Sequence, residues 1–240
     1  MTKQVKKFRL GRLLADSLRE LRSAGAVVML LALTAGAVVL GSNFRLRVSD
    51  DIRISFAFTC VMAAGVLFGP VSCMTAAAAS DVIDFLLEKN ELRGYSLGIL
   101  AVKLIVAFFY GVFLYRKYYG NFGLSKKLED YFPECVVLHL DIAVRGVIAR
   151  VAAVFIGNVV LNSAVLYGTY YNSRFPFLSR SEWSDFAVWF KPRFDKNVGM
   201  LPFELATVFL LMPAVNVIYE LAGKAFGRLR ESEADKITKN

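Results

Sequence analysis

The chain has 240 residues, of which 56% are hydrophobic, and it carries a formal net charge of +9. Soluble globular proteins average about 45–50% apolar residues, and the excess here lies in long runs, which exclude an ordinary soluble domain. The basic residues fall between these runs rather than along one face. Basic residues in this arrangement set membrane topology, so no nucleic-acid partner is predicted.

The N-terminal segment 1–24 combines seven basic residues with leucines at helical spacing. This pattern predicts a basic amphipathic helix on the cytoplasmic surface of an anionic membrane leaflet. A cleaved signal peptide is the alternative, since a basic start precedes an apolar run. That run is longer than the usual core of a signal peptide, which favours the amphipathic helix.

Six apolar runs follow and predict six transmembrane helices. In chain order they cover about Ala24–Gly41, Ile54–Phe68, Val71–Leu87, Ser96–Tyr115, Val147–Tyr167 and Asn197–Tyr219. Gly69 and Pro70 are a turn signal between the second and third runs, so these two helices form a tight hairpin. Pro202 and Pro213 predict kinks in the sixth helix, which membrane proteins tolerate. The fold class is therefore all-α, a polytopic membrane protein whose six-helix bundle covers 25–222.

The placement of lysine and arginine orients this bundle in the membrane. Sixteen of these residues lie in one set of segments, namely 1–24, 116–141 and 222–240. Ten lie in the other set, namely 42–53, 88–95 and 168–196. The more basic set belongs inside, which puts both termini, with a tail at 223–240, in the cytoplasm. The outer segments are themselves basic, which favours either an anionic solute or contact with outer-leaflet lipid, and the long segment 168–196 is a candidate lid.

Polar side chains occur inside the predicted helices, where each is costly unless it finds a partner. Those in the middle and outer thirds of the membrane are Asp81, Asp84, Lys103, Asn158, Asn162 and Glu204. Their bias towards one side predicts a polar cavity that opens outwards between facing helices. Ion pairing of Lys103 with an aspartate, and interhelical hydrogen bonds of the asparagines, explain single residues without a ligand. The inner third holds side chains expected to snorkel or hydrogen-bond near the interface, namely Arg145, Arg150 and Asn216.

Five segments carry the pattern of a known family. Leu30–Phe44 holds a small-residue helix, Ile52–Leu87 holds a Phe-Gly-Pro turn followed by Asp, and Phe108–Arg116 reads FFYGVFLYR. Asn158–Leu166 holds a Leu-Asn pair, and Lys191–Pro202 holds Arg-x-x-Lys-Asn followed by Leu-Pro. In these segments the chain resembles the substrate-binding S components of energy-coupling factor (ECF) vitamin transporters, and the folate group in particular. Its loop before the fourth helix departs from the Gly- and Pro-rich loop usual in that group.

The resemblance implies a multi-pass protein of the bacterial plasma membrane that captures folate or a similar vitamin at high affinity. It implies no catalysis, no metal and no cofactor, and its partners are a transmembrane coupling subunit and two cytoplasmic ATPase subunits. The chain has no Gly-x-x-x-x-Gly-Lys-Ser/Thr loop, so ATP hydrolysis falls to such partners. Ala32 and Gly36 match the small-residue pair that docks on the coupling subunit.

For a folate, the predicted ligand-binding residues are Phe56, Asp81, Asp84, Lys103, Asn158, Asn162, Tyr167, Arg193, Lys196 and Asn197. A carboxylate such as that of Asp81 or Asp84 accepts the adjacent N–H groups of the pterin edge. An aromatic ring such as that of Phe56 stacks on the pterin. Arg193 and Lys196 meet the glutamyl carboxylates at the outer mouth.

Three alternatives stay open. An S component for another small solute, such as pantothenate or a queuosine precursor, is separated from a folate binder only by its ligand. A membrane-embedded enzyme would use Asp81 and Asp84 with a divalent cation, but the longer aspartate pattern of lipid phosphotransferases is absent. A self-sufficient secondary carrier is the third, although no inverted repeat relates the two halves.

Overall fold

The computed structural model describes residues 10–42, 45–47, 53–87, 95–116, 134–171 and 179–238. The helices are α1 (Leu10–Glu20), α2 (Ala24–Ser42), α3 (Ala57–Phe68), α4 (Pro70–Leu87), α5 (Leu97–Leu114), α6 (Glu134–Ala152), the π-helix π1 (Ala153–Leu161), α7 (Asn162–Tyr170) and α8 (Arg180–Thr238). Two antiparallel strands, β1 (Arg45–Arg47) and β2 (Arg53–Ser55), pair between α2 and α3.

Within these ranges, five helical segments are long and apolar enough to cross a membrane: Ala24–Gly41, Pro70–Leu87, Leu97–Leu114, Val136–Thr169 and Arg180–Tyr219. The remaining predicted helix, the second in chain order, corresponds to α3, which is apolar but has only 12 residues. At 1.5 Å per residue α3 is about 18 Å long, less than the hydrocarbon core of a bilayer. The chain is a multi-pass membrane protein built as a helical bundle, which confirms the predicted fold class.

Helix α3 lies at the centre of the bundle, with nine of its 12 residues buried. It turns into α4 at Gly69 and Pro70, where Gly69 has a φ of 85° that other residues rarely adopt. Helix α5 crosses this turn closely, because a Cβ added to Gly111 would lie 2.1 Å from the Pro70 Cα. The hairpin predicted at Gly69 and Pro70 is thus present, and a glycine on α5 permits its contact with the turn.

Helix α1 is fastened to the same turn by Ser17. Its hydroxyl donates a hydrogen bond to the Phe68 carbonyl at 2.6 Å and accepts one from the Val71 backbone N–H at 3.2 Å. Leu13, one turn earlier, is fully buried in a cluster with Tyr115. The segment predicted as an amphipathic helix is helical from Leu10, and one face of it packs on the bundle.

Two helix starts differ from the prediction. The second transmembrane helix was expected from Ile54, but Arg53–Ser55 forms a strand and α3 begins at Ala57. The fifth was expected from Val147, but α6 begins at Glu134 and continues through π1 and α7 to Tyr170. Polar residues such as Asp141 obscured this extension, because they break the apolar run although the structure buries Asp141.

The sixth helix also begins much earlier than the predicted Asn197, since α8 starts at Arg180. Ser179 and Glu182 form a capping box that explains this start. The Ser179 N–H donates to the Glu182 carboxylate at 2.6 Å, and the Glu182 N–H donates to the Ser179 hydroxyl at 3.4 Å. Much of the predicted outer segment 168–196 is therefore helical, and its function as a lid stays a prediction.

Candidate functional site

A cavity of about 650 Å³ opens between α3, α4, α5, α8 and the run from α6 to α7. Small-molecule sites usually have about 300–1,000 Å³. The lining residues are Ala57, Phe58, Val61, Ala77, Ser80, Asp84, Ile99, Val102, Lys103, Val106, Ala107, Tyr110, Arg150, Asn158, Asn162, Arg193, Lys196, Asn197, Met200 and Glu204. The lining is thus mostly apolar, with a small number of charged and amide groups spaced along it.

The polar groups occupy two levels of the cavity. Arg193 and Glu204 are eleven residues apart on α8, which corresponds to a difference in depth of about 16 Å at 1.5 Å per residue. We call Phe58, Tyr110, Arg150 and Glu204 the floor cluster. Arg193 and Lys196 are the mouth cations, at the end of the bundle where α7 ends and α8 begins.

The floor cluster is an ion pair closed by two aromatic rings. Arg150 donates from Nε and Nη2 to the two carboxylate oxygens of Glu204, at 3.1 and 2.7 Å. Its Nη1 donates to the Tyr110 hydroxyl at 2.6 Å, and its guanidinium lies 3.8 Å from the centre of the Phe58 ring. Arg150, Glu204 and Tyr110 are all at most 6% exposed. The two charges are desolvated but paired with each other. The contacts of this cluster join α3, α5, α6 and α8.

This arrangement corrects the expectation that Arg150 snorkels or hydrogen-bonds near the interface. Arg150 reaches Glu204 across the bundle, and Arg145 pairs with Asp141 one turn earlier at 2.8 Å. Both arginines are buried. The side chain of Asn216 lies outside the described part of the structure.

Lys103 lines the cavity between the two levels and pairs with Asp81 on α4. The Tyr95 hydroxyl donates a hydrogen bond to the other oxygen of Asp81 at 3.0 Å. Burial and the bond to this carboxylate raise the pKa of Tyr95 above its ordinary value, so the hydroxyl stays protonated. Of the pairings considered from the sequence, the structure forms the one between Lys103 and Asp81.

Asn158 and Asn162 both line the cavity, although the helix between them is not an ordinary α-helix. Asn158 lies in π1, and π-helical turns are frequent at functional sites. The Asn162 side-chain oxygen is buried and accepts no hydrogen bond from the residues that the structure describes. Buried acceptors are normally satisfied, so this oxygen is a candidate acceptor for a ligand N–H group.

Seven of the ten predicted ligand-binding residues line the cavity, namely Asp84, Lys103, Asn158, Asn162, Arg193, Lys196 and Asn197. The other three lie nearby in different settings. Asp81 pairs with Lys103, and Phe56 precedes α3, where its carbonyl accepts from the Thr59 hydroxyl. Tyr167 packs on aromatic rings of α8. The function of each residue in binding stays a prediction.

The predicted coupling-subunit residues are four positions apart on α2 and share one side of the helix, but they differ in exposure. Ala32 is exposed, as are its neighbours Leu31 and Ala35. Gly36 is half-buried and faces α3, because a Cβ there would lie 3.1 Å from the Cys60 sulfur. In the middle of this helix the exposed small residues are Ala32 and Ala35, and Ala24 and Gly25 are exposed at its start.

Sequence reasoning missed Tyr110 and Phe58, and it assigned Arg150 to the wrong environment. No local signal marks the pair of Arg150 and Glu204, since the two residues are 54 positions apart. A signal for the helical start of α8 was present in Ser179-Arg-Ser-Glu182, which has capping-box spacing.

The fold of the chain is similar to that of FolT in its crystal structure with bound folic acid. The match has a TM-score of 0.54 and covers 79% of this chain and 92% of FolT, at 21% sequence identity. No protein-family model matches the sequence, and no curated protein matches it either. The likeness to FolT therefore concerns the fold of the bundle.

Proposed function

We propose that this chain is the substrate-binding S component of a folate-type ECF importer. The observation that carries the proposal is the cavity, which places two cations at its mouth and an unsatisfied amide acceptor in its wall. The shared fold with FolT, which binds folic acid in its crystal structure, supports it. So does the resemblance of the sequence segments to folate-type S components.

The pterin end of a folate needs acceptors for its N–H groups and apolar surfaces for its ring faces. The buried Asn162 oxygen is such an acceptor, and the half-buried Asp84 carboxylate lines the same cavity. Val102 and Val106 on α5 contribute apolar wall at this level. A buried acceptor that finds no protein partner costs about 1–3 kcal/mol, and a ligand donor removes that cost on binding.

The glutamyl end of a folate carries carboxylates, which the mouth cations match in charge. Arg193 presents a planar set of donors that suits bidentate binding of a carboxylate. Lys196 lies one turn further along α8 and also lines the cavity. In this proposal the pterin lies inside the cavity and the glutamate lies at its mouth.

Transport requires partners, because the sequence has no loop for ATP binding. A separate coupling subunit and two ATPase subunits fit this requirement. On α2 the exposed residues Ala32 and Ala35 have small side chains, which let another helix approach closely. The plasma membrane as location and a cytoplasmic position for both termini belong to the same proposal.

The test is calorimetric titration of folate, and separately of pantothenate, into ligand-free purified protein. We expect sub-micromolar binding of folate and none of pantothenate. Replacing both mouth cations (Arg193→Ala with Lys196→Ala) should weaken folate binding at least about 100-fold, since charged hydrogen bonds contribute about 1.5–3 kcal/mol each.

Lys191→Ala is the matched control, because Lys191 is an exposed cation on the same helix that does not line the cavity. It should leave the dissociation constant for folate within about twofold of the wild-type value. Full affinity in the double variant would refute the assignment of the mouth cations. Failure of the wild-type protein to bind folate would refute the proposed ligand and leave another solute as substrate.

A further inference from the structure

Five aromatic side chains gather where α7 ends and α8 begins, and we call them the aromatic cluster: Tyr167, Tyr171, Trp183, Phe186 and Trp189. The proposed function assigns no part to Trp189. Its indole makes edge-to-face contacts with Tyr167 of α7, at 5.6 Å between ring centres, and with Tyr171 directly after α7, at 5.2 Å. Contacts of this geometry stabilise aromatic pairs beyond their burial, so α7 fixes the orientation of the indole.

The Trp189 indole also contacts a cation. The Arg193 guanidinium lies 4.0 Å from the centre of the indole, one helical turn further along α8. The N–H donors of a guanidinium lie in its plane and point outwards from its edge. A guanidinium whose flat face lies on a ring can therefore still donate to a carboxylate.

Without the indole, the long Arg193 side chain would be free to sample many rotamers above the cavity. Ordering a flexible side chain on binding lowers affinity, and a side chain that is already ordered avoids this loss. A guanidinium stacked on tryptophan is held by one of the stronger cation–π contacts available in proteins. Within the aromatic cluster, Trp189 thus connects the end of α7 to the position of one mouth cation.

We propose that Trp189 is a positioning residue that holds the Arg193 guanidinium at the cavity mouth, with its donor edge directed to the carboxylate of an anionic ligand. This inference rests on the proposed function, in which Arg193 binds a ligand carboxylate. Trp189 acts through Arg193 and makes no contact of its own with the ligand.

The test is the affinity for folate of Trp189→Leu and Trp189→Phe in otherwise intact, monodisperse protein. We expect Trp189→Leu to weaken binding about tenfold, within the range that cation–π contacts produce. Trp189→Phe should lie between Trp189→Leu and the wild type, because phenylalanine keeps a weaker aromatic face. Trp183→Leu is the control: it removes an indole ten residues before Arg193, about 15 Å away along the helix, and should leave the affinity unchanged.

A double-mutant cycle separates positioning from a general effect on the fold. In an Arg193→Ala background, Trp189→Leu should change the affinity less than about twofold, since no guanidinium remains to be held. The same tenfold loss in both backgrounds would overturn the inference and make Trp189 a structural residue only. Full affinity of Trp189→Leu and Trp189→Phe in the wild-type background would also overturn it. Absence of folate binding by the wild-type protein is a different outcome, which refutes the proposed function instead.

Discussion

The floor cluster and the mouth cations both place arginine in the cavity wall, but the two arginines have different surroundings. Arg150 is 6% exposed and its donors are taken up by Glu204 and Tyr110. Arg193 is half-buried, its guanidinium lies over the Trp189 ring, and none of the carboxylates that the structure describes pairs with it. The charge at the floor is neutralised inside the protein, whereas the charge at the mouth is available to an anion.

The difference teaches that a buried charge in a membrane protein does not by itself mark the ligand site. The floor cluster satisfies its own hydrogen bonds and joins four helices, so its main effect is on the packing of the bundle. In the cavity wall, by contrast, the Asn162 side-chain oxygen has no hydrogen-bond partner among the described residues. Substitutions at the two levels should therefore separate stability from binding.

The largest effect is expected at the floor. Arg150→Met removes one partner of a buried ion pair and leaves the Glu204 carboxylate without its cation. Breaking such a pair costs about 3–5 kcal/mol, so we expect a large drop in the thermal unfolding temperature in detergent, or a loss of folded protein. The measurement is thermal unfolding followed by size-exclusion chromatography.

The combined variant Arg150→Met with Glu204→Leu is the control for this prediction. Replacing a whole buried ion pair by apolar side chains of similar size is often neutral or stabilising. The double variant should therefore recover most of the stability that Arg150→Met loses. Wild-type stability of Arg150→Met alone would show that the floor cluster does not hold the bundle together.

A substitution in the cavity wall should reduce binding and not stability, the opposite of the result at the floor. Asn162→Leu removes the buried acceptor that has no partner among the described residues. We expect folate binding to weaken about tenfold or more, because one hydrogen bond to the ligand is lost, while the unfolding temperature stays the same or rises. A buried polar group without a partner costs about 1–3 kcal/mol, which the substitution removes.

Ser163 provides a matched control, since its hydroxyl is also buried without a partner in the described ranges, but it does not line the cavity. Ser163→Ala should share any gain in stability and leave folate affinity unchanged. Equal losses of affinity in both variants would mean that the effect of Asn162 comes from the packing of α7 rather than from contact with a ligand.

Much of the bundle follows from local patterns in the sequence. The apolar runs predict the membrane helices, and Gly69 with Pro70 predicts the hairpin, because each signal depends on neighbouring residues. The outward bias of polar residues predicted a cavity, and Lys103, Asn158 and Asn162 line one. Helical spacing determines which residues share a face, so these faces can be predicted without knowing which helices are neighbours.

The rest depends on which helices meet. Arg150 and Glu204 form a pair only because α6 faces α8 at that depth, and no periodicity in either helix shows this. The contact of Trp189 with α7 was hidden for a related reason, since the segment 168–196 was interpreted as a loop. Gly36 was assigned to an outer surface, whereas it faces Cys60 on α3, because small residues suit both kinds of contact.

The smallest effect is expected between the two levels, at the contact of Tyr95 with Asp81. Tyr95→Phe removes the hydroxyl that bonds to Asp81 but keeps the ring that packs on Phe85 at 5.1 Å. In this variant Asp81 keeps its ion pair with Lys103, which is about half exposed, so solvent screens the pair. We expect a loss of about 1 kcal/mol or less in stability and a change in folate affinity below about threefold. A loss of affinity as large as that of Arg193→Ala with Lys196→Ala would place Tyr95 and Asp81 among the ligand-binding groups. The comparison of floor and mouth would then have to include a third group of residues between them.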